Sequence, residues 1–371
     1  MCTDEPMPRA VAWARTMQGH GDDRLVTAHA DSHAGLDQGP VLGREAREER
    51  EAMLLRPGAT LSHGAGNRAV EEEPDEERTC FERDRDRIVH SPAFRRLAGK
   101  TQVVVYPTDH QRTRLTHAIE VAQVATSIAR GVGANVALAD AIALGHDCGH
   151  GPGGHASEDA FDLFVPGGYD HGPWGADVVL TELNLCAETL DGIRNHSWSR
   201  PAPGTVEGEI VSWSDRIAYC AHDLEDAIHA GIVTTDDLPS EVAGIAGIGR
   251  RAQLGTFIRS VVRTTAATGR VGMDPQTAAA LAALRRFNYE RIYTRPDSVA
   301  QSHAVVEVLR GLVQRYSERP ELIPPAYRWD DAVMGAVTYV GGMTDRFAFD
   351  QAEELLGWSA ERLPRGIGRG A

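Results

Sequence analysis

The stretch from Asn135 to Leu144 constrains this chain more than any other. It is Ala-rich and apolar, has good intrinsic helix propensity, and runs straight into His146-Asp147 and a cluster of Gly149, Gly151, Gly153 and Gly154. A helix this apolar belongs in a core. An ionisable pair that closes it must be paired or metal-bound, because charged groups are seldom fully buried otherwise. Taken alone, the dipeptide fits equally well an Asp capping a turn beside a satisfied core histidine.

Helical spacing continues on both sides. In Thr113 to Arg130 the apolar residues Leu115, Ile119, Ala122 and Ile128 recur near a period of 3.6, and Gly131 offers a stop. Val211 to Ala230 predicts another helix, closed by Gly231, and further helices are expected at about 276–292, 298–316 and 344–357. Strand-like alternation is convincing only at Thr101 to Tyr106, half of a small hairpin at most. The fold class is therefore mainly α. Residues 1–45, rich in Gly, Asp, His and Ala without a sustained period, read as a disordered tail or a mis-assigned start. Glu71 to Glu77, interrupted by Pro74, reads as a solvated loop. A catalytic core is expected over 46–235 and a C-terminal helical portion over 236–371, with a soft boundary in the Gly-, Pro- and Asp-rich segment near 231–250.

Composition narrows the class. The 42% hydrophobic and 25% charged residues are ordinary for a globular protein, and no apolar run reaches membrane-spanning length. The N-terminus lacks a basic segment followed by an apolar one, so the cytoplasm is the expected location. Five scattered cysteines without CxxC spacing indicate reduced thiols rather than a zinc knuckle or a disulfide framework. A formal charge of -15 argues against a dedicated nucleic-acid binder, yet leaves room for a local basic pocket.

Four residues of metal-ligand type fall on or beside three helices: His117, the pair His146-Asp147, and Asp215. Mixed imidazole and carboxylate donors suit divalent Mg, Mn, Fe, Co or Zn. His150 and His155 lie in the glycine loop, and Glu158 follows His155 by one helical turn, placed to orient its imidazole for proton donation. On the third helix Asp215, Tyr219 and Asp223 are spaced i, i+4, i+8, with Arg216 beside them, a stripe that reads as a solvated face or as a phosphate contact.

These residues stand in recognisable motifs. Phe81–Ile88 (FERDRDRI), Phe94–Leu97 (FRRL), Lys100–Val103 (KTQV), Arg112–His117 (RTRLTH), Gly145–His150 (GHDCGH), Gly154-His155, Leu183–Leu190 (LNLCAETL) and Asp215–Asp223 (DRIAYCAHD) closely resemble the deoxyguanosinetriphosphate triphosphohydrolase family of HD-domain proteins. Phe287–Tyr293 (FNYERIY) and Gly342–Arg346 (GMTDR) look like its C-terminal signatures, so the match runs in order from about residue 50 to 350. The resemblance implies an HD-domain helical core and hydrolysis of a deoxynucleoside triphosphate (dNTP) to deoxynucleoside and inorganic triphosphate. It also implies a divalent metal on His117, His146, Asp147 and Asp215 that polarises the α-phosphate. By matched position His155, oriented by Glu158, is the general acid, and His150 and His171 sit against the phosphates. Arg114 reaches the α-phosphate, and Arg216 and Tyr219 hold the phosphate chain. Asp223 accepts from the sugar 3′-hydroxyl and Gln102 contacts the sugar or base edge. Arg95, Arg96 and Lys100 form the expected local basic cluster.

The chain also departs from the pattern. Gly151-Pro152-Gly153-Gly154 replaces a loop that usually carries two prolines and an aromatic residue, Cys148 stands where leucine is usual, and Gly172–Gly175 replaces the Asn and Gln that commonly follow His171. These changes leave the ligand set whole and the base preference open. The resemblance further implies a homo-oligomer, with dNTPs or single-stranded DNA as effectors; no sequence feature decides either point. The alternatives are another HD phosphohydrolase activity, such as a nucleotide phosphomonoesterase, and a dNTP-binding sensor without turnover.

Overall fold

The computed structural model describes residues 7–103 and 111–365. The chain forms two compact units, divided between Leu42 and Gly43. In the first, helix α1 (Pro8–Ala14) precedes an antiparallel ladder of β1 (His20–Gly21) and β2 (Val26–Thr27), with His20 opposite Thr27. The turn between them is closed by Asp22, whose Oδ1 accepts from the Arg24 and Leu25 amides at 2.8 and 3.2 Å. Such a turn needs one side chain rather than a period, so the sequence pattern did not announce it.

The second unit is helical throughout: α2 (Arg44–Leu54), α3 (Cys80–His90), α4 (Pro92–Arg96), α5 (Arg114–Val132), α6 (Val136–Gly145), α7 (Ala156–Phe161), α8 (His171–Trp174), α9 (Ala187–Asn195), α10 (Val206–His229), α11 (Ser240–Ala246), α12 (Arg250–Thr268), α13 (Pro275–Asn288), α14 (Pro296–Glu318), α15 (Ala332–Gly341) and α16 (Asp345–Leu356). The mainly α class holds. Among the described residues of this unit the only strand-like pairings are isolated bridges, Arg68 with Cys186 and Thr101 with Thr113. Thr101 thus makes a single bridge, but Gln102 and Val103 are bends rather than strand, and residues 104–106 of the expected strand lie outside the described residues.

Helix α6 is the axis of the unit. Asn135 caps it, its Oδ1 accepting from the Ala137 and Leu138 amides at 3.0 and 3.2 Å. Leu138, Ala139, Ala141, Ile142, Ala143 and Leu144 are all buried, enclosed by α3, α5, α9 and α10. Gly192 lets α9 come close, since a Cβ there would press on the Ile142 side chain. Helix α5 runs through the predicted stop at Gly131 and ends at Gly133, whose φ of 76° is left-handed. Gly131 serves packing instead, because a Cβ there would stand 2.9 Å from Val262 of α12. Helix α10 begins five residues before the predicted Val211, capped by Thr205, which accepts from the Gly208 amide at 3.0 Å.

Apolar side chains collect in two clusters. One joins α3, α5, α6, α9 and α10 to α11, α12 and α13, through Val242, Phe257, Val261, Leu284 and Ile292. The other joins α7, Tyr169 and Trp174 to α14, α15 and α16. Packing therefore does not part at residue 235. The segment 231–250, expected as a loop or linker, contains α11, with Val242 and Ala246 in the first cluster. Gly231, Gly247 and Gly249 lie outside that helix, and Gly244 is accommodated within it. Cys80, Cys148, Cys186 and Cys220 are free and buried, as expected of reduced thiols, and Cys2 lies outside the described residues. No helix among the described residues is long and apolar enough to cross a membrane.

Ile142→Ala removes three side-chain carbons' worth of packing at the centre of α6, and is expected to lower unfolding free energy by about 2–5 kcal/mol. Urea denaturation followed by circular dichroism measures it; a loss under about 1 kcal/mol would mean that α6 is not the packed axis described.

Candidate active site

Three helices bring the four expected ligands together. α5 carries His117, α6 delivers His146-Asp147 at its closing end, and α10 carries Asp215. His117 Nε2 lies 3.0 Å from Asp215 Oδ1 and 3.9 Å from Asp147 Oδ2. His146 Nε2 lies 3.5 Å from Asp147 Oδ1 and 3.7 Å from Asp215 Oδ1. His146 Nδ1 donates to the Ala143 carbonyl at 2.6 Å, so Nε2 turns a lone pair toward the two carboxylates and finds no hydrogen-bond partner among the described residues. Burial drives the His146 pKa down despite the acids beside it, favouring the neutral, ligating form. Burial opposes ionisation of Asp147 and Asp215 as well, yet Arg114 and the histidines outweigh it and hold both carboxyls below the usual range. His117, His146 and Asp215 offer ligand atoms close enough to share one ion, as do His146, Asp147 and His196, and this mix of imidazole and carboxylate donors, with His146 Nε2 orphaned among them, fits a divalent cation.

A second cluster of histidines lies on the glycine loop and what it packs against. Gly149 has to be glycine: a Cβ would overlap the His171 carbonyl oxygen and stand 2.5 Å from the Gly175 amide nitrogen. Glu158 binds two imidazoles, accepting from His155 Nδ1 at 2.9 Å and from His171 Nδ1 at 2.7 Å. Burial would raise the Glu158 pKa, but these two bonds hold it well below the carboxylate range. His155 is exposed, with 72% of its side chain accessible, while His171 is buried. His171 Nε2 faces His196 Nε2 at 3.1 Å, and His196 Nδ1 donates to the Ile193 carbonyl at 2.8 Å.

Both clusters open on one cavity of about 410 Å³. Arg114, Arg216, Tyr219 and Arg285 line it, and Gln102, Asp223 and Tyr293 stand on its wall. Arg114 Nη1 donates to Asp147 Oδ2 at 2.7 Å, while its Nε and Nη2 are buried without partners among the described residues. Gly154, with φ 64°, lets the loop approach this guanidinium, since a Cβ would sit 2.7 Å from Nη2. Arg285 Nε donates to the Tyr219 hydroxyl at 2.9 Å, so the phenol proton is free to point elsewhere. The Arg216 guanidinium lies 3.4 Å over the Trp198 ring. A larger hollow of about 590 Å³ lies between α2, α3 and α6. Its arginines are already paired, Arg47 with Glu82, Arg78 with Asp86 and Arg85 with Asp140, and none of the four ligands lines it.

Comparison with known proteins gives the family. The HD domain family model covers residues 114–220 and the phosphohydrolase-associated domain covers 271–354. A deoxyguanosinetriphosphate triphosphohydrolase-like protein of Caldanaerobacter subterraneus subsp. tengcongensis is 38% identical over 324 residues, spanning 84% of this chain and 95% of that protein. One of the same description from Clostridium perfringens is 38% identical over 332 residues, spanning 84% and 97%. The chain belongs to the deoxyguanosinetriphosphate triphosphohydrolase-like family of HD-domain phosphohydrolases. Among solved structures, a hypothetical protein from Aquifex aeolicus aligns at a TM-score of 0.47 with 19% identity, covering 75% of this chain and 68% of that one.

Not every site residue falls where the family resemblance led us to expect. His150, expected against the phosphates, does not line the cavity. It is buried beneath it, stacked on His171 at 3.7 Å with Nε2 3.2 Å from Asp147 Oδ1, and burial beside Arg114 pushes its pKa well down. The basic cluster of Arg95, Arg96 and Lys100 is also absent from the cavity. Lys100 turns into the protein, donating to the His150 and Gly341 carbonyls, and Arg96 faces a separate hollow beside Tyr327 and Tyr339. Asp223 does line the cavity, but Arg112 and the Tyr293 hydroxyl already donate to its two oxygens. Residues the sequence reading passed over are Arg285 and Tyr293, within or beside a motif noted only as a signature, and His196 and Trp198, just past α9.

Burial lowers the Lys100 pKa from 10.5 to about 8. Between those values the unfolded chain holds the proton and the folded one does not, so this residue's contribution to stability rises with pH and is smallest below pH 8. Relative to Lys100→Met, the wild type should gain unfolding free energy from pH 8 to pH 10.5 in denaturant titrations. A gap that narrows over that window would contradict the burial.

Proposed function

We propose that the cavity binds a dNTP and hydrolyses it at the α-phosphorus, releasing deoxynucleoside and inorganic triphosphate. One observation carries this reading: three arginines, Arg114, Arg216 and Arg285, line the same cavity as the candidate ligands His117, Asp147 and Asp215. A single phosphate would leave two of them without work, whereas a triphosphate chain presents acceptors to all three.

His117, His146, Asp147 and Asp215 would hold the divalent metal, which supplies Lewis-acid polarisation of the α-phosphoryl group when bound. The partnerless Nε and Nη2 donors of Arg114 are placed for an oxygen of the same phosphate, and its bond to Asp147 fixes their direction. Leaving such donors buried and unmatched costs about 1–3 kcal/mol, which a phosphoryl oxygen would offset. Tyr219, its oxygen occupied by Arg285, donates its proton to the chain further along, and Arg216 and Arg285 neutralise the tail.

A water oxygen attacks phosphorus as the bond to the sugar 5′-oxygen breaks. His155 Nε2 gives its proton to that leaving oxygen, and Glu158 steadies the imidazolium through Nδ1. Net, the water provides the hydroxyl on phosphorus and the proton that restores His155. The Asp223 oxygens each accept one bond and retain capacity for the 3′-hydroxyl, while the partnerless Gln102 Oε1 can accept from sugar or base.

Incubating metal-loaded protein with each of the four dNTPs and reading products by phosphorus NMR tests the reaction. Inorganic triphosphate is expected; a single phosphate would point instead to a phosphomonoesterase, and no product to a sensor. His146→Ala should lose both metal and turnover. His155→Ala should keep the metal and lose about 10²–10⁴-fold in kcat. Arg285→Ala should keep kcat within a few-fold and raise KM by about 10–100-fold, the loss of one charged hydrogen-bonding partner.

A further inference from the structure

Helix α16 begins on Asp345, and this carboxylate turns inward, away from solvent. Asp345 is only 6% exposed and accepts three hydrogen bonds: from the Thr101 amide at 2.9 Å, from the Thr101 hydroxyl, and from the Gly153 amide at 2.8 Å. Four residues earlier, at the end of α15, the Gly341 carbonyl accepts from Lys100 Nζ at 2.9 Å, and the same ammonium donates to the His150 carbonyl. Gly99 leaves space for Thr344, which a Cβ would meet at 2.7 Å. The five residues 341–345 therefore grip 99–101 on one side and 150–153 on the other.

Both gripped segments build the cavity. Thr101, Gln102 and Gly153 line it. The Lys100 carbonyl accepts the Arg114 amide at 3.2 Å, and Gly154 packs on the Arg114 guanidinium. The segment beginning at Gly149 carries His155 toward Glu158. We infer that Asp345 is a positioning residue of the active site, through which the phosphohydrolase-associated segment sets the spacing between the wall residues Gln102 and Arg114 and the glycine loop of His150 and His155. The inference rests on the proposed reaction only for its kinetic readout. A carboxylate suits the role because it accepts from several directions at once, which a carboxamide of the same size cannot do.

The test uses the full-length, metal-loaded chain with Asp345→Asn and Thr101→Val. Asp345→Asn keeps the volume but turns an NH2 toward one of the donors, and Thr101→Val removes a single hydroxyl. Hydrogen exchange should quicken at residues 99–103 and 151–155 in Asp345→Asn while α10 keeps its protection. Metal per chain should not change. Turnover of dNTP should fall about ten- to a hundredfold, the usual cost of displacing catalytic groups by about 1 Å. The double variant should be little worse than Asp345→Asn alone, because both act on one network. Wild-type exchange and wild-type kcat in Asp345→Asn would overturn the inference. So would exchange that rises across the whole unit, or activity lost in step with metal, since either marks a merely structural carboxylate. Should the wild type hydrolyse none of the dNTPs, the substrate reading fails by itself. Local exchange, with weakened binding of inorganic triphosphate by calorimetry, then decides the role of Asp345.

Discussion

Two carboxylates, the buried Asp147 and the partly buried Asp215, meet where an apolar helix ends, and the rest of the site follows from what that requires. Isolated charges in such a place are costly, so every neighbour is a donor or a ligand. Arg114 donates to Asp147, His117 meets Asp215, and His146 turns a lone pair toward both, its proton committed to the Ala143 carbonyl. The apolar body of α6 matters as much as the ligands at its end. Because it is enclosed by α3, α5, α9 and α10, the pair His146-Asp147 is held at a point that α5 and α10 also reach.

The glycine loop solves a different problem. It must pass between a guanidinium and a short helix, leaving no volume for side chains at Gly149 and Gly154. That crowding brings His150, His155 and His171 together, and Glu158 joins two of them through its two oxygens. One of these histidines stays exposed and one is buried, so a shared carboxylate holds one ring that is open to the cavity and one that is locked in place.

How much of this could be read in advance depended on whether a residue's role was set locally. The helices of α5, α6 and α10 follow from the spacing of their apolar residues, and each candidate ligand lies on or directly beside one of them. Arg114 and His117 share a face because they are three residues apart. Charge is less informative, because sequence does not say which way a cation points. Arg95, Arg96 and Lys100 looked like a phosphate site, yet Lys100 is consumed by two carbonyls inside the protein. The cation that does stand beside Tyr219 is Arg285, 66 residues away in the chain. Helix α11 inside the expected loop 231–250 was missed for a related reason: the burial of Val242 and Ala246 depends on partners far along the chain.

The sequence by itself determined the helical class and the family, because periodicity and ordered motifs are local properties. Tertiary structure decided which side chains face the cavity. It stacked His150 on His171, brought Arg285 and Tyr293 into the cavity that Arg114 lines, and set Asp345 against Thr101 and Gly153 across 244 and 192 residues of chain. The physical reason is that the direction of a buried polar group is chosen by the partner that can satisfy it, and that partner is fixed only when distant helices pack.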